Sequence, residues 1–227
     1  MSISKKSIGT RNESSLHRTL KYCYADNGKT EVTAGEFVAD GINRDGEYIE
    51  VQTSNFASLK KKVKEFSAAK KVRIIHPIAV KKIIEVYAPD GDLLSRRKSP
   101  LKGSLWNIFD VLIHAPELLL IRKVTIEVVL ADIVEKRIND GKGAWRRKGI
   151  SIHDKELAAW HECIVFQKPA DFLKLIPFKK NEEFTATVLA KHTGIKPNLA
   201  RKALYVLTKI NLVKRTGKNG RAWVYQV

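Results

Sequence analysis

The stretch Asp40-Gly-Ile-Asn-Arg-Asp-Gly-Glu-Tyr-Ile-Glu50-Val-Gln52 leaves the chain little choice in how it closes. Asn43-Arg44-Asp45-Gly46 carries the residues of a type I turn, with Asn first and Asp third. The glycine that follows is free to take the left-handed conformation and form a bulge. A three-residue loop of this kind pairs Asn43 with Glu47 and, three steps outward, Asp40 with Glu50. Directly opposed residues of an antiparallel pair share a face, with Cβ atoms roughly 4.5–5.5 Å apart. Two carboxylates so placed repel each other unless a cation lies between them. A two-residue turn would shift the register by one and send the acids to opposite faces.

A chain of 227 residues, 44% hydrophobic, has core enough for one large domain or two small ones. Lys and Arg outnumber Asp and Glu by 42 to 24, giving a formal charge of +18. The excess is spread along the whole chain, which favours a polyanionic partner, most simply nucleic acid; a generic basic soluble protein is the plainer reading. The two cysteines, Cys23 and Cys163, form no Cys-x-x-Cys pair, so neither a zinc ribbon nor a disulfide scaffold is indicated. No run approaches the ~20 apolar residues of a membrane span, and Met1–Ile8 has no apolar signal region. A cytosolic protein with no membrane partner is expected.

Periodicity organises the rest. A helix is expected from about Asn12, its cap, to Tyr24, with Leu16, Leu20 and Cys23 or Tyr24 on one face. Two or three strands follow between Thr30 and Gln52. Phe56, Leu59, Val63 and Phe66 recur at helical spacing, with Lys60, Lys61, Lys62 and Lys64 crowding the other faces. Val72–Ile78 reads as a short buried strand, so strand–helix–strand implies a parallel, right-handed crossover. Lys81–Ser99 reads as a hairpin about Pro89-Asp90-Gly91, Leu105–Ile113 as a short helix and Val124–Val134 as a strand. Gly141–Gly149 is a basic loop around Trp145. Pro177 and Lys179-Lys180-Asn181 mark a linker. Beyond it come helices over Thr185–His192 and Pro197–Ile210, then short strands at Leu212–Arg215 and Trp223–Val227. The expected fold is α/β: a mixed-sheet domain over 1–178, with its core at about 8–79 and an α+β elaboration over 80–178, and a small unit over 179–227.

Two resemblances sharpen this. The C-terminal unit is similar to the winged helix-turn-helix family through Val188-Leu-Ala-x-x-Thr-Gly-Ile195, the helix carrying Leu199, Ala203, Leu204 and Leu207, and the Gly/Lys-rich segment Thr216–Gly220. The N-terminal core resembles the PD-(D/E)XK, or restriction-endonuclease-like, nucleases. Asp40 matches the first motif acid, Glu50 the second, and Gln52 stands where the family usually has lysine. Glu13 matches a carboxylate that many members place on the first helix. The resemblance implies a metal-dependent nuclease acting on DNA, and a homodimer. It assigns Glu13, Asp40, Glu50 and Gln52 to catalysis. A rival expectation, favoured by Gln52, is a DNA-binding or regulatory protein whose nuclease-like domain is inactive. A third is a protein-docking scaffold.

The residues alone support the same chemistry. Asp40, Glu50 and the Val51 carbonyl present hard oxygens, which select Mg²⁺ or Mn²⁺ over zinc. Gln52 can orient a water by hydrogen bonding but adds no charge. The competing structural reading makes Glu50 and Gln52 the solvated face of an edge hairpin, Glu13 a helix-dipole residue, and the Lys60–Lys64 cluster, Lys62 included, a solvated helix face. Candidate nucleic-acid contacts are Lys60, Lys61 and Lys64, then Arg96, Arg97 and Lys98, and Trp145 with Arg146, Arg147 and Lys148. In the C-terminal unit they are Lys196, Asn198, Arg201 and Lys202 at the start of the second helix, and Lys214, Arg215, Lys218 and Arg221 beyond it. His161-Glu162-Cys163 lacks the second cysteine pair of a zinc deaminase and reads as structural. No Walker loop, Gly-x-Gly-x-x-Gly or Gly-x-Ser-x-Gly occurs.

Overall fold

A computed structural model describes residues 13–54 and 56–227. The first helix, α1 (Ser15–Tyr24), is capped by Ser14, whose hydroxyl accepts from the His17 amide. The expected cap, Asn12, lies outside the described residues. Leu16 and Leu20 are buried with Tyr24 packed beside them, as their spacing requires. Strands β1 (Thr30–Ala34), β2 (Phe37–Ile42) and β3 (Tyr48–Val51) form an antiparallel meander. The helix α2 (Leu59–Ala69) then returns the chain to β4 (Val72–Tyr87), which lies parallel to β3.

The turn closes as its residues dictate. The Gly46 amide donates to the Asn43 carbonyl, the Asn43 amide donates to the Glu47 carbonyl, and Gly46 has φ +74°. Gly41 pairs with Ile49 and Ile42 with Tyr48, so the same register carried one step further sets Asp40 level with Glu50.

β4 does not stop at Ile78. It continues through Pro77 to Tyr87, pairing with β3 over Val72–Ile75 and with β5 (Leu93–Lys98) over Ile83–Tyr87. Between those two partners no described strand pairs with that edge of β4, and Pro77, which has no N–H to offer, falls in that gap; the Gly103 amide donates to the Ala79 carbonyl just beyond it. After the short helix α3 (Ile108–Leu112), β6 (Val124–Ile138) lies parallel to β4, and β7 (Ser151–Phe166) runs antiparallel on its outer edge. The result is a seven-stranded mixed sheet in the order β1-β2-β3-β4-β6-β7, with β5 also on β4. β7 was not anticipated from the sequence. Its three register irregularities against β6 and its run of His, Asp, Lys and Glu break the alternation that marks a strand.

Helix α1 covers one face of the sheet over Ile49, Val51, Ile75 and Val129. The other face carries α2 through Phe56, Leu59, Val63 and Phe66. Each of these side chains, almost wholly buried, contributes about 1.5–3 kcal/mol. The same buried cluster runs on through Phe109, Phe166, Phe172 and Phe178 into the C-terminal unit. That unit consists of α4 (Ala186–Thr193), α5 (Pro197–Lys209) and a three-stranded sheet of β8 (Glu183–Thr185), β10 (Ala222–Gln226) and β9 (Lys214–Asn219). Among the described residues, no helix is long and apolar enough to cross a membrane.

Candidate active site

The hairpin, α1 and α2 converge on the acid pair. Glu50, on β3, is buried at 5% exposure. The Lys62 ammonium of α2 donates to its Oε1 at 2.7 Å and lies 2.6 Å from Oε2. The ammonium thus straddles both oxygens of the buried carboxylate. Asp40 turns its carboxylate toward the end of β3, where Oδ2 accepts from the Val51 amide at 2.7 Å. The same oxygen lies 3.2 Å from His17 Nε2 of α1. His17 Nδ1 is 2.5 Å from Glu13, and Lys21 Nζ lies 2.8 Å from Glu13 and 2.6 Å from Glu31. A chain of alternating charge, Glu31–Lys21–Glu13–His17–Asp40, thus meets the single Lys62–Glu50 pair at the hairpin.

Their ionisation reflects this. Burial, reinforced by the negative charge of Asp40, pushes the Glu50 carboxyl up to about 7 against the opposing effect of Lys62. Burial acts on Asp40 in the same direction. There, hydrogen bonding and charge from His17 outweigh it and hold the pKa below the usual carboxylate value. Burial disfavours the His17 imidazolium, but Asp40 and Glu13 together raise its pKa to about 9. At neutral pH the pair therefore holds an ionised Asp40 against a charged His17, and a Glu50 poised between its two forms.

Beside the pair lies a cleft of about 950 Å³. Glu13, His17, Glu31, Asp40, Thr53 and Lys62 line it, together with Asp140, Asp154 and Lys155 from the β6–β7 hairpin. Asp154 accepts from the amide and hydroxyl of Ser15 at 2.8 and 2.6 Å, clamping the first turn of α1 to that hairpin. Trp145, at its tip, is 84% exposed, with Arg146 also exposed and Arg147 bonded to the Ile150 carbonyl.

The site residues expected from sequence divide accordingly. Asp40, Glu50, Glu13 and Val51 come together. Gln52 leads out of β3, its side-chain amide donating to Ser58 at 3.1 Å and its carbonyl bonded to buried His76 Nδ1. Lys61 and Lys64 are exposed on α2, while Lys60 pairs with Glu117 at 2.7 Å. In the C-terminal unit, Lys196, Asn198, Arg201, Lys218 and Arg221 are exposed, and Lys202 is tied to Asp110 of α3 at 2.6 Å. Two functional groups escaped the sequence reading. Lys62 was grouped with the solvated lysines, yet it belongs to the stripe Leu59-Lys62-Val63-Phe66 at the i, i+3, i+4, i+7 spacing of a buried face. The His17 signal was Glu13-x₃-His17-x₃-Lys21, acid and bases one turn apart.

The donors available to a divalent cation are hard oxygens: the carboxylates of Asp40 and Glu50 and the Val51 carbonyl, with Lys62 also held on Glu50. Among the described residues, no group of three or more His, Cys, Asp or Glu side chains is arranged to hold a metal ion. Two carboxylates nevertheless suit magnesium, which keeps several waters and takes few protein ligands.

Residues 14–167, from the cap of α1 to the end of β7, match the model of a domain of unknown function, DUF8091. The chain belongs to the DUF8091 family. The matched span of this DUF8091 protein holds Asp40, Glu50, His17 and Lys62 and stops short of the C-terminal unit. A relative from Treponema pallidum (strain Nichols), described as an uncharacterized protein, is 28% identical over 221 residues, covering 96% of this chain and 87% of its own length. The similarity to that relative therefore continues past the family domain into α4, α5 and the small sheet. No solved structure matches the chain.

Proposed function

We propose that this chain is a metal-dependent nuclease of restriction-endonuclease-like fold, hydrolysing phosphodiester bonds in DNA, with a winged helix as its C-terminal unit. One observation carries the reading: Asp40 and a buried Glu50 stand level on one hairpin, Asp40 lining an open cleft. Parallel β3 and β4 joined through α2, with α1 on the opposite face, support the fold.

Asp40, Glu50 and the Val51 carbonyl are the residues that would hold Mg²⁺ or Mn²⁺. Bound there, such a cation supplies a water of lowered pKa and offsets charge on the leaving oxygen. The chain's own residues do the rest. His17, held by Glu13, fixes the Asp40 carboxylate toward the end of β3. Lys62 brings to the acid pair the positive charge that Gln52 lacks, at a position where it can stabilise charge developing on a phosphoryl group. Gln52, engaged with Ser58, anchors the start of α2, the helix that delivers Lys62. Glu13 thus acts through His17.

A second reading has its own support: Lys62 and His17 already balance the acid pair, as expected of an inactive nuclease-like domain that only binds DNA. Incubation of single-stranded, duplex and branched DNA with Mg²⁺ or Mn²⁺ separates the two. The nuclease reading predicts cleavage that Asp40→Ala and Glu50→Ala each abolish and that Lys62→Ala slows by on the order of 10²–10³. DNA binding without cleavage under every condition selects the second reading.

A further inference from the structure

The β9–β10 hairpin carries a feature that its sequence spacing conceals. Arg215 and Lys218 stand three residues apart, so a regular strand would point them to opposite faces. Here Lys218 pairs with Trp223 and Gly217 with Val224, but Tyr225 pairs with Arg215, leaving Thr216 as a bulge. The extra residue brings Arg215 and Lys218 to the face of the two rings. The Arg215 guanidinium lies 4.7 Å from the Trp223 ring centre and 5.9 Å from that of Tyr225, and the Lys218 ammonium lies 4.6 Å from Trp223. All of β9 is exposed, and Trp223 is 42% exposed.

Two of these cations share one aromatic ring beside a fully exposed strand. Lys62, Arg73, Lys82 and Lys202 are each matched to a carboxylate. Among the described residues, Lys214, Arg215, Lys218 and Arg221 form no such pair. Resting on a ring fixes a cation's position without consuming its N–H donors, so less freedom is lost when an anion binds. The start of α5 is differently placed. Ala200, Ala203, Leu204, Val206 and Leu207 are buried, and Lys202 ties the helix to α3, leaving a narrow exposed stripe that includes Asn198, Arg201 and Tyr205.

We infer that the C-terminal unit grips the backbone phosphates of duplex DNA through the Arg215–Trp223–Lys218 ridge, without reading sequence, and not through the start of α5. This rests on the nucleic-acid reading above and assigns Arg215 and Trp223 a role there. The partner follows from charge: a +18 chain presenting unpaired, immobilised cations matches a polyanion of regularly spaced phosphates.

The test is fluorescence anisotropy of the full chain in EDTA with two duplexes of unrelated sequence, across a salt series. Each phosphate contact adds about 0.9 to the log–log salt slope, so Arg215→Gln with Lys218→Gln should lower it by about 1.8. At 0.1 M salt that is roughly a 60-fold weakening, equal for both duplexes. A charge-matched double variant, Lys180→Gln with Lys191→Gln, and the pair Asn198→Ala with Arg201→Ala should each weaken binding less than about 3-fold, below the roughly 8-fold of one lost phosphate contact. Unaltered urea midpoints establish that all variants are folded. Equal losses from the charge-matched control, a larger or sequence-dependent loss from the α5 variant, or no duplex binding by the wild type would overturn the inference. Because EDTA suppresses cleavage, binding here is scored separately from nuclease activity, and either reading can fail alone.

Discussion

At the residue scale, three groups decide how the site behaves with pH. Glu50 is raised to about 7 and His17 to about 9, so the folded chain holds more protons than the unfolded chain from about pH 4.5 to pH 9. For Glu50 the favourable contribution belongs to the protonated form and is lost as pH rises through 7. For His17 it is present in full below the unfolded value near 6.5 and is lost as pH rises through 9. The depressed Asp40 works in the opposite direction, contributing above its unfolded value and losing that contribution in acid. Stability should therefore decline continuously across the neutral range. Urea unfolding at stepped pH should show that decline in the wild type, while His17→Gln should make it shallower between pH 7 and 9. A decline from pH 7 to 9 that persists unchanged in His17→Gln would show that the imidazolium is not what Asp40 holds. Lys62 belongs to the same scale: an ammonium in an apolar stripe signals a buried acid within reach, and that acid is Glu50.

At the element scale, the hairpin turn sets everything downstream of it. Gly46 has φ +74° and open space where a side chain would project, so Gly46→Ala costs backbone strain alone. The expected loss is about 1 kcal/mol, read as a shift in urea midpoint, with metal dependence and DNA cleavage retained. Deleting Ile42 from one arm of the hairpin is different in kind. It keeps the three-residue loop but moves every outer pair by one, setting Asp40 opposite Ile49 and away from Glu50, so activity should vanish even where the chain still folds. An Ile42 deletion that cleaves normally would mean that the register does not build the site. The turn was readable from sequence because each of its four residues has a local conformational reason to be there. The parallel pair β3–β4 was readable because a helix of clear period separates two apolar strands. β7 was not, since an edge strand with three irregularities follows no single alternation. The full length of β4 was hidden for a related reason. Pro77 ordinarily ends a strand, and here it falls where neither β3 nor β5 asks β4 for an N–H. The ridge on β9 was hidden by a bulge, which no count of residue spacing reveals. Among the site residues, Asp40, Glu50 and Glu13 were legible through motif and turn. Lys62 and His17 were not, because each meets its carboxylate through tertiary packing of a helix against the hairpin.

At the scale of the whole molecule, one buried cluster joins the sheet, α2 and the C-terminal unit, with Phe172 near its middle at 1% exposure, stacked on Phe166. Phe172→Ala should cost about 3–5 kcal/mol. Trp106 beneath the sheet and Trp223 on the small hairpin should report the same unfolding midpoint if the cluster acts as a unit. Two separated midpoints would show that the C-terminal unit unfolds independently. The Lys202–Asp110 pair, partly exposed on both sides, should by contrast contribute less than about 1 kcal/mol to that union.

Charge is distributed on the same scale. The cleft beside the acid pair is lined by five carboxylates, Glu13, Glu31, Asp40, Asp140 and Asp154, against Lys62, Lys155 and a charged His17. The β9–β10 hairpin presents Lys214, Arg215, Lys218 and Arg221, with no carboxylate paired to them among the described residues. A phosphodiester would be attracted by the outlying basic surface and would need a cation to approach the acids. The most direct measurement is therefore cleavage of a labelled duplex by the wild type and by Glu50→Gln, with Mn²⁺ and with EDTA. The account predicts product with the wild type in Mn²⁺ only, none with Glu50→Gln, and equal duplex binding by both in EDTA. Cleavage that survives Glu50→Gln, or a wild type that binds duplex yet cuts no DNA in Mn²⁺ or Mg²⁺, would contradict it.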